Sequence, residues 1–392
     1  MCGNFNHDVT QQDAEKAMKM FNEYIALDGF FAKPGYTLTL VLTRSIWVFT
    51  YLSGFLVQVL TNIYSDFRKI IFCFCLLFCA LLLSAQNKKP VSLIFDSDMG
   101  PDYDDVGAIT LLHAFADSGE AKILATVAST KYDGVACVLS VFNTYFNRED
   151  IPIGIPKGNA QTLRDWQHWT DTLIQRYPHR VNNNLEAEDA VGLYRKILAK
   201  QSAKSVVIVT IGFLTNLEGL LKSKADKYSS LDGNKLVAEK VKQLVCMAGK
   251  FPEGYEFNVD KDIPASQFVF TNWPTNILFS GFEIGEKIKA GLPLIHNSAI
   301  QNSPVKDVFR ICIPMAKEDS AGRKSWDETA VMVAVKGVTP YYHLHYGHID
   351  VANDGKNTWK DTGKKQAYLV EAEPFTKVAS YINGAIMHQP VK

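Results

Sequence analysis

VSLIFDSDMGPDYDDVGA, residues Val91 to Ala108, joins an apolar run to an acidic loop and then to an apolar helical pattern. Val91 to Phe95 has the length and composition of a buried strand. Asp96, Asp98, Asp102, Asp104 and Asp105 put five carboxylates within ten residues. From Val106 onward, Ile109, Leu111, Leu112 and Phe115 fall at helical spacing. The order is strand, loop, helix. In an open α/β sheet, the loop at a strand's carboxyl end is where ligands bind. So many like charges repel unless water or a cation screens them. A hard divalent cation collects several carboxylate and carbonyl oxygens, so this loop is a candidate Ca²⁺ or Mg²⁺ site. Gly100 and Pro101 supply the turn that folds the carboxylates inward. Capping the helix N-terminus would need one or two of these acids, not all of them.

Towards the C-terminus, strand and helix patterns alternate. Ile123 to Ala128, Ile151 to Ile155, Val206 to Ile211 and Leu244 to Ala248 read as strands. Between them Gly134 to Phe146, Ala187 to Lys200 and a helix opening at Leu214 carry helical spacing. This alternation predicts βαβ units in an α/β fold with an open, mostly parallel sheet. Near-continuous apolar strands imply helices on both faces of that sheet. Tyr341 to Trp359 differs and predicts a C-terminal β-hairpin turning at Asn353-Asp354-Gly355. No repeat or low-complexity linker interrupts residues 90–392, which are expected to form one domain.

Upstream, residues 1–89 read as a leader. Arg68-Lys69 precedes the apolar run Ile70 to Leu83 and then Ser84-Ala85-Gln86. Basic start, apolar core and small residue at the cut describe a secretory signal peptide over about residues 67–85, cleaved after Ala85. The expected location is therefore periplasmic or extracellular. Phe78 before Cys79 does not fit a lipoprotein signal, and the run is short for a transmembrane span. Tyr36 to Leu60 is also apolar, with Arg44 inside it. Either the chain is held by a helical hairpin, or translation begins near Asn62 to Asp66. The second is favoured because a signal peptide belongs at a terminus. Membrane contact is expected only through an uncleaved leader.

The 392 residues carry 41 Lys+Arg against 41 Asp+Glu, for a formal net charge of zero. The basic excess of a nucleic-acid-binding protein is missing. Of seven cysteines, Cys2, Cys73, Cys75 and Cys79 precede residue 90. Cys137, Cys246 and Cys312 stand alone in apolar runs. Neither a disulfide framework nor a zinc spacing is present, and buried thiols are expected.

Three further stretches could carry chemistry. TIGFLTNL, Thr210 to Leu217, ends a strand and opens a helix. A carbonyl there can complete a metal shell, while Thr215 as a plain helix cap is the simpler account. In AGKFPEGYEFNVDKD, Ala248 to Asp262, Glu256 and Asn258 are two apart and share a face if extended. A carboxylate beside an amide suits hydroxyl recognition, as on a sugar. A solvated loop is the competing account. In SWDETA, Ser325 to Ala330, Asp327 can cap the helix that follows.

Taken in order, these motifs resemble those of the inosine-uridine-preferring nucleoside hydrolases. DSDMGPDYDD is similar to the family's aspartate signature, in the branch with two extra residues before the Asp-Asp pair. GFLTNL resembles its Gly-Pro-Leu-Thr-Asn-Leu turn, EFNVDKDIPA its Glu-Phe-Asn segment, and WDETA its late His-Asp element. The similarity spans about residues 91–335. It implies a Rossmann-like core and Ca²⁺-dependent hydrolysis of ribonucleosides to ribose and free base, with Ca²⁺ ahead of Mg²⁺. By resemblance, Asp98, Asp105, Asp327 and the Thr215 carbonyl would bind the cation. Asp98 would also act as general base toward the attacking water. Asp104, Glu256 and Asn258 would hold ribose hydroxyls, and Trp326 would face the substrate. A small-molecule partner is implied; self-association is left open.

The chain departs from the family pattern at Trp326, which stands where many members carry a histidine that protonates the leaving base. Ser129-Thr130 replaces a Gly-Asn on the ribose side, and the loop before Glu256 is shorter. A haloacid-dehalogenase-type phosphatase, suggested by Asp96-Ser97-Asp98, would want its acidic pair far downstream and is disfavoured. A non-catalytic nucleoside- or sugar-binding protein on the same fold is the rival reading. His343, His345 and His348 alternate as on a surface hairpin, without a fourth metal ligand nearby. Trp166, His168 and Trp169 occupy an irregular stretch that either forms a lid or packs into the domain.

Overall fold

The computed structural model describes residues 89–391 together with Lys16, Lys19 and Glu23. The expected signal peptide and the apolar stretch before it lie outside the described residues. No helix among the described residues is long and apolar enough to cross a membrane.

Among the described residues there are thirteen strands: β1 (Val91–Ser97), β2 (Ala121–Ala128), β3 (Ile153–Ile155), β4 (Glu188–Asp189), β5 (Val206–Thr210), β6 (Val241–Met247), β7 (Glu253–Gly254), β8 (Asn276–Ser280), β9 (Lys289–Ala290), β10 (Arg323–Lys324), β11 (Tyr342–Val351), β12 (Asn357–Lys360) and β13 (Gln366–Glu371). Eleven of them make one sheet in the order β4-β3-β2-β1-β5-β6-β8-β13-β11-β12-β7, and β9 pairs with β10 in a two-stranded ribbon. From β4 to β13 every pairing is parallel; β11, β12 and β7 extend that sheet antiparallel. The hairpin predicted at Tyr341 to Trp359 is β11–β12. Between it and the parallel strands lies β13, paired with β8, and neither of these strands was anticipated from sequence.

Side-chain alternation along the strands divides the core in two. Leu93, Phe95, Val207, Val209, Val245 and Leu278 point into one apolar cluster, which the helices Asp104–Asp117, Val135–Tyr145, Pro304–Met315, Trp326–Lys336 and Phe375–Ala385 cover. Ile94, Ile208, Leu244, Cys246, Ile277 and Phe279 point into the other, under Ala190–Ala199, Thr215–Lys222, Gly233–Lys240 and Ile263–Asn272. Burial on both faces is why these strands read as unbroken apolar runs. Each fully buried Leu, Ile or Phe contributes about 1.5–3 kcal/mol, so the sheet is a rigid base for the loops at its edge. Cys137, Cys246 and Cys312 are buried free thiols, as expected.

β1 sits at the centre with β2 on one side and β5 on the other. The winding direction reverses there, and a crevice opens beyond the carboxyl ends of the strands. Gly212, just past β5, makes that crevice possible. A Cβ on it would sit 2.4 Å from the Asp98 backbone nitrogen and 2.5 Å from Ser129 Oγ.

Candidate functional site

A cleft of about 260 Å³ lies at these strand ends. Asp98, Asp102 and Asp104 enter it from the loop after β1, and Ile211 and Met247 from the ends of β5 and β6. Glu256, Phe257 and Asn258 come from the following turn, Phe282 from beyond β8, and Arg323, Trp326 and Asp327 from β10 and the helix after it. Of the residues singled out from sequence, Asp98, Asp104, Glu256, Asn258, Trp326 and Asp327 therefore meet in one place.

The acidic loop separates into parts with different partners. Asp96 belongs to β1 and is turned away from the cleft: its carboxylate accepts from Tyr194 Oη at 2.8 Å and Asn216 Nδ2 at 3.1 Å. Burial pushes it up to about 7 against the pull of those bonds. That placement removes the Asp96-Ser97-Asp98 nucleophile of the phosphatase reading. Helix Asp104–Asp117 begins two residues earlier than the apolar pattern suggested, so Asp104 and Asp105 stand in its first turn. Asp105 lies behind the cleft wall, fully buried. One of its oxygens accepts from Ser97 Oγ and the other has no hydrogen-bond partner. Burial holds Asp98 well above the usual carboxylate range, with Asp102 adding to it. Asp105 is raised by burial and then by Asp98, and Asp327 by burial and then by Asp104.

Those directions all report uncompensated negative charge in a dry site, where a cation would be strongly favoured. Carboxylate oxygens of Asp102, Asp104 and Asp327 lie within 4.8 Å of one another. An all-oxygen donor set with a buried, unpartnered oxygen on Asp105 fits a hard divalent cation. Thr215 is the first residue of helix Thr215–Lys222, and its hydroxyl donates to Asp262. A first-turn carbonyl accepts within its own helix through one lone pair and keeps the other. The residue after β5 that does line the cleft is Ile211, whose carbonyl accepts from Asn258 Nδ2 at 3.1 Å.

Glu256 and Asn258 are joined by the backbone as well as by the cleft. Glu256 caps the short helix Phe257–Lys261, its carboxylate accepting from the backbone N–H of Asn258 at 2.9 Å, Val259 at 3.1 Å and Gly249 at 3.1 Å. Burial nonetheless raises it to about 7. Asn258 spends its amide nitrogen on the carbonyls of Ile211 and Met247, each at 3.1 Å. Its carbonyl oxygen is what remains for a ligand.

Trp326 closes the other side. Its indole N–H donates to the Phe282 carbonyl at 2.8 Å, and the two rings pack with centroids 5.1 Å apart. The Trp326 backbone N–H donates to Asp104 Oδ2 at 3.2 Å, which ties the start of one helix to the start of the other.

Arg323 was not anticipated. It is half-buried in the cleft wall and donates from Nε and Nη2 to Asp104 Oδ1 at 3.0 and 2.6 Å, and from Nη2 to Asp102 Oδ2 at 2.5 Å. Its guanidinium lies 4.9 Å from the Tyr103 ring centroid and 5.2 Å from that of Trp326. Asp104, raised by burial, is pulled back down by this arginine.

The remaining candidates fall elsewhere. Ser129 Oγ accepts from the Phe213 N–H, and Thr130 Oγ1 donates to the Gln161 and Leu163 carbonyls, so both serve the loops. Trp169 is buried, Trp166 and His168 are exposed, and none lines the cleft. His345 pairs with Asp361 and His348 with Thr362 on the hairpin. Of the side chains that could protonate a leaving base in place of the histidine missing at Trp326, Tyr103 Oη is bound to Asp319, Tyr255 Oη to Asp354, and His179 Nδ1 sits 2.9 Å from the Tyr177 carbonyl.

Residues 93–385 match the family model described as inosine-uridine preferring nucleoside hydrolase. No curated protein matches the sequence. A plant nucleoside hydrolase structure superposes with a TM-score of 0.58 at 19% identity, covering 76% of this chain and 99% of that one. The inosine-uridine preferring nucleoside hydrolase from Bacillus anthracis gives 0.58 at 14% identity, with 76% and 99% covered. A purine-preferring ribonucleoside hydrolase from Gardnerella vaginalis gives 0.57 at 16%, again with 76% and 99% covered. These likenesses establish a shared fold.

Proposed function

The chain belongs to the inosine-uridine preferring nucleoside hydrolase family, a family of hydrolases acting on N-glycosyl compounds, and we propose that its substrates are ribonucleosides and its cofactor is Ca²⁺. One observation carries the reading: Asp98, Asp104, Asp327, Glu256 and Asn258 all line one cleft of about 260 Å³ at the switch point. Asp98, Asp105 and Asp327 would hold the cation. A bound cation offsets their charge and makes water a better nucleophile at neutral pH.

Asp98 takes the proton of the attacking water as its oxygen bonds to the anomeric carbon. The C1′–N bond breaks with its electron pair leaving on the base, through an oxocarbenium-like state. Asp104 Oδ1 is filled by two Arg323 donors, so Oδ2, which accepts only the Trp326 N–H, is the oxygen open to a sugar hydroxyl. Glu256 and the Asn258 carbonyl oxygen receive further hydroxyls. Carboxylates around the ring stabilise the developing positive charge. Phe257, Phe282 and Trp326 form the apolar wall against which a planar base stacks. Residues 90–392 are taken as the catalytic domain, delivered by the leader to the periplasm or exterior.

The test is reducing-sugar release from a nucleoside panel, with and without chelator. Hydrolysis that chelator abolishes and added Ca²⁺ restores is expected, and Asp98→Asn should eliminate it. Nucleoside binding without hydrolysis under any cation would overturn the proposal.

A further inference from the structure

We infer that Arg323 is the site's resident cation: it neutralises the Asp102–Asp104 half of the carboxylate cluster and confines the divalent ion to the half formed by Asp98, Asp105 and Asp327. The inference rests on the Ca²⁺ reading above but does not need the hydrolase reading.

Hydrogen bonding, not distance, separates the two halves: oxygens of Asp102, Asp104 and Asp327 converge within 4.8 Å, and of these three acids Asp102 and Asp104 are the ones hydrogen-bonded to Arg323. Asp104 has Oδ1 saturated by Nε and Nη2 and Oδ2 engaged by the Trp326 N–H. A metal ion there would have to displace a guanidinium that is only 11% exposed. Asp105 contrasts with this: one oxygen is buried and unpartnered. Among the described residues, neither Asp98 nor Asp327 forms a salt bridge, and the ion pairs of Arg323 go to Asp102, Asp104 and Asp319.

The arginine is built into place. Gly322 turns at φ +106°, and a Cβ there would stand 2.8 Å from the Ala290 carbonyl oxygen. That turn lets β10 pair with β9 and delivers Arg323 into the wall. Asp319 stands 3.6 Å from Nη1 and steadies it, itself held by Tyr103 Oη at 2.7 Å. The guanidinium also lies against the rings of Tyr103 and Trp326. A planar, permanently charged group with several fixed donors suits such a position where lysine would not match it. Arg323 thus acts as a positioning residue, fixing which Asp104 oxygen meets the sugar and where the ion sits.

Calorimetric Ca²⁺ titration of the chelator-treated protein tests this. Arg323→Met removes positive charge beside the ion, so Ca²⁺ should bind at least about tenfold tighter. Arg323→Lys keeps the charge and should stay within about threefold of wild type. A role that is only structural would loosen the loop and weaken Ca²⁺ binding instead. Equal or weaker binding by folded Arg323→Met overturns the inference, as does a wild-type protein that binds no Ca²⁺.

Should Arg323→Met fail to fold, Asp102→Asn on the half-exposed side carries the same question. It should weaken Ca²⁺ by no more than about tenfold, whereas Asp105→Asn abolishes binding. Equal losses in both variants would place Asp102 in the metal shell and overturn the division. Ca²⁺ binding that follows this pattern in a protein that cleaves no nucleoside would sink the hydrolase proposal and leave this one standing.

Discussion

The indole N–H of Trp326 donates to the Phe282 backbone carbonyl at 2.8 Å. This bond limits what Trp326 could offer a substrate under the proposed function. Indole has a single N–H, is a donor only and does not ionise at neutral pH. With that donor committed, the ring offers the substrate a face and no proton. No histidine is among the residues lining the cleft, and Tyr103, Tyr255 and His179 are each occupied by other partners.

Under the proposed reaction the base must then leave unprotonated with the electron pair of the C1′–N bond, and the rate should depend on leaving-group quality. General-acid help is typically worth about 10²–10⁴-fold. para-Nitrophenyl β-riboside, whose leaving group needs no such help, should exceed inosine and uridine in kcat/KM by about 10²-fold or more. Equal values for the activated riboside and inosine would show that an efficient acid is present.

How much of this was legible depended on whether a residue's role is set by its sequence neighbours. The stretch Val91 to Ala108 declared itself because strand, acids and helix follow one another directly. Glu256 and Asn258 were legible because two residues of spacing keep them together, although the capping helix between them replaces the extended segment expected. Arg323 was not legible. Its partners lie 219 and 221 residues away, and a single arginine after a glycine carries no local pattern. For Thr215 the turn motif placed the residue at a helix start beyond β5, as found, but a backbone carbonyl's role carries no side-chain signature to read in the sequence. β8 and β13 escaped because runs as short as NILFS and QAYLVE are too brief for periodicity to separate a strand from a piece of helix.

Asp105 should be indispensable to cation binding although it does not line the cleft. Asp105→Asn keeps the shape and an acceptor for Ser97 Oγ but removes the charge on the unpartnered oxygen. Elemental analysis after dialysis should find the variant without calcium. Full occupancy would remove Asp105 from the metal shell.

Glu256 is asked to do two things at once, and substitution can separate them. Glu256→Ala deletes the cap of Phe257–Lys261, which costs about 0.5–2 kcal/mol, and leaves three backbone N–H groups without their acceptor. Glu256→Gln keeps one acceptor oxygen. Denaturant melts should show the alanine variant clearly less stable than glutamine, while both raise KM for the nucleoside. An unchanged KM in Glu256→Gln would confine the residue to its structural role.

Acid stability should turn on His113, far from the acidic loop. The ring is fully buried and stacks on Phe146 with centroids 4.6 Å apart; no well-aligned hydrogen bond reaches either nitrogen, and the nearby Asn143 side chain offsets only part of the cost of burial. Burial, with Arg148 adding to it, lowers its pKa from 6.5 to about 3. Between those values the unfolded chain binds a proton that the folded chain refuses. The stabilisation is complete above pH 6.5 and drains away as pH falls towards 3. Its full size is on the order of a few kcal/mol. His113→Phe preserves a stacked ring and removes the titrating nitrogens, so its Tm should fall less steeply than that of wild type from pH 6.5 to 4. Some overpacking cost at neutral pH is expected, about 1 kcal/mol, and it shifts the whole curve without changing its slope. Parallel curves for the two proteins across that range would show that His113 is not the group whose protonation opens the fold.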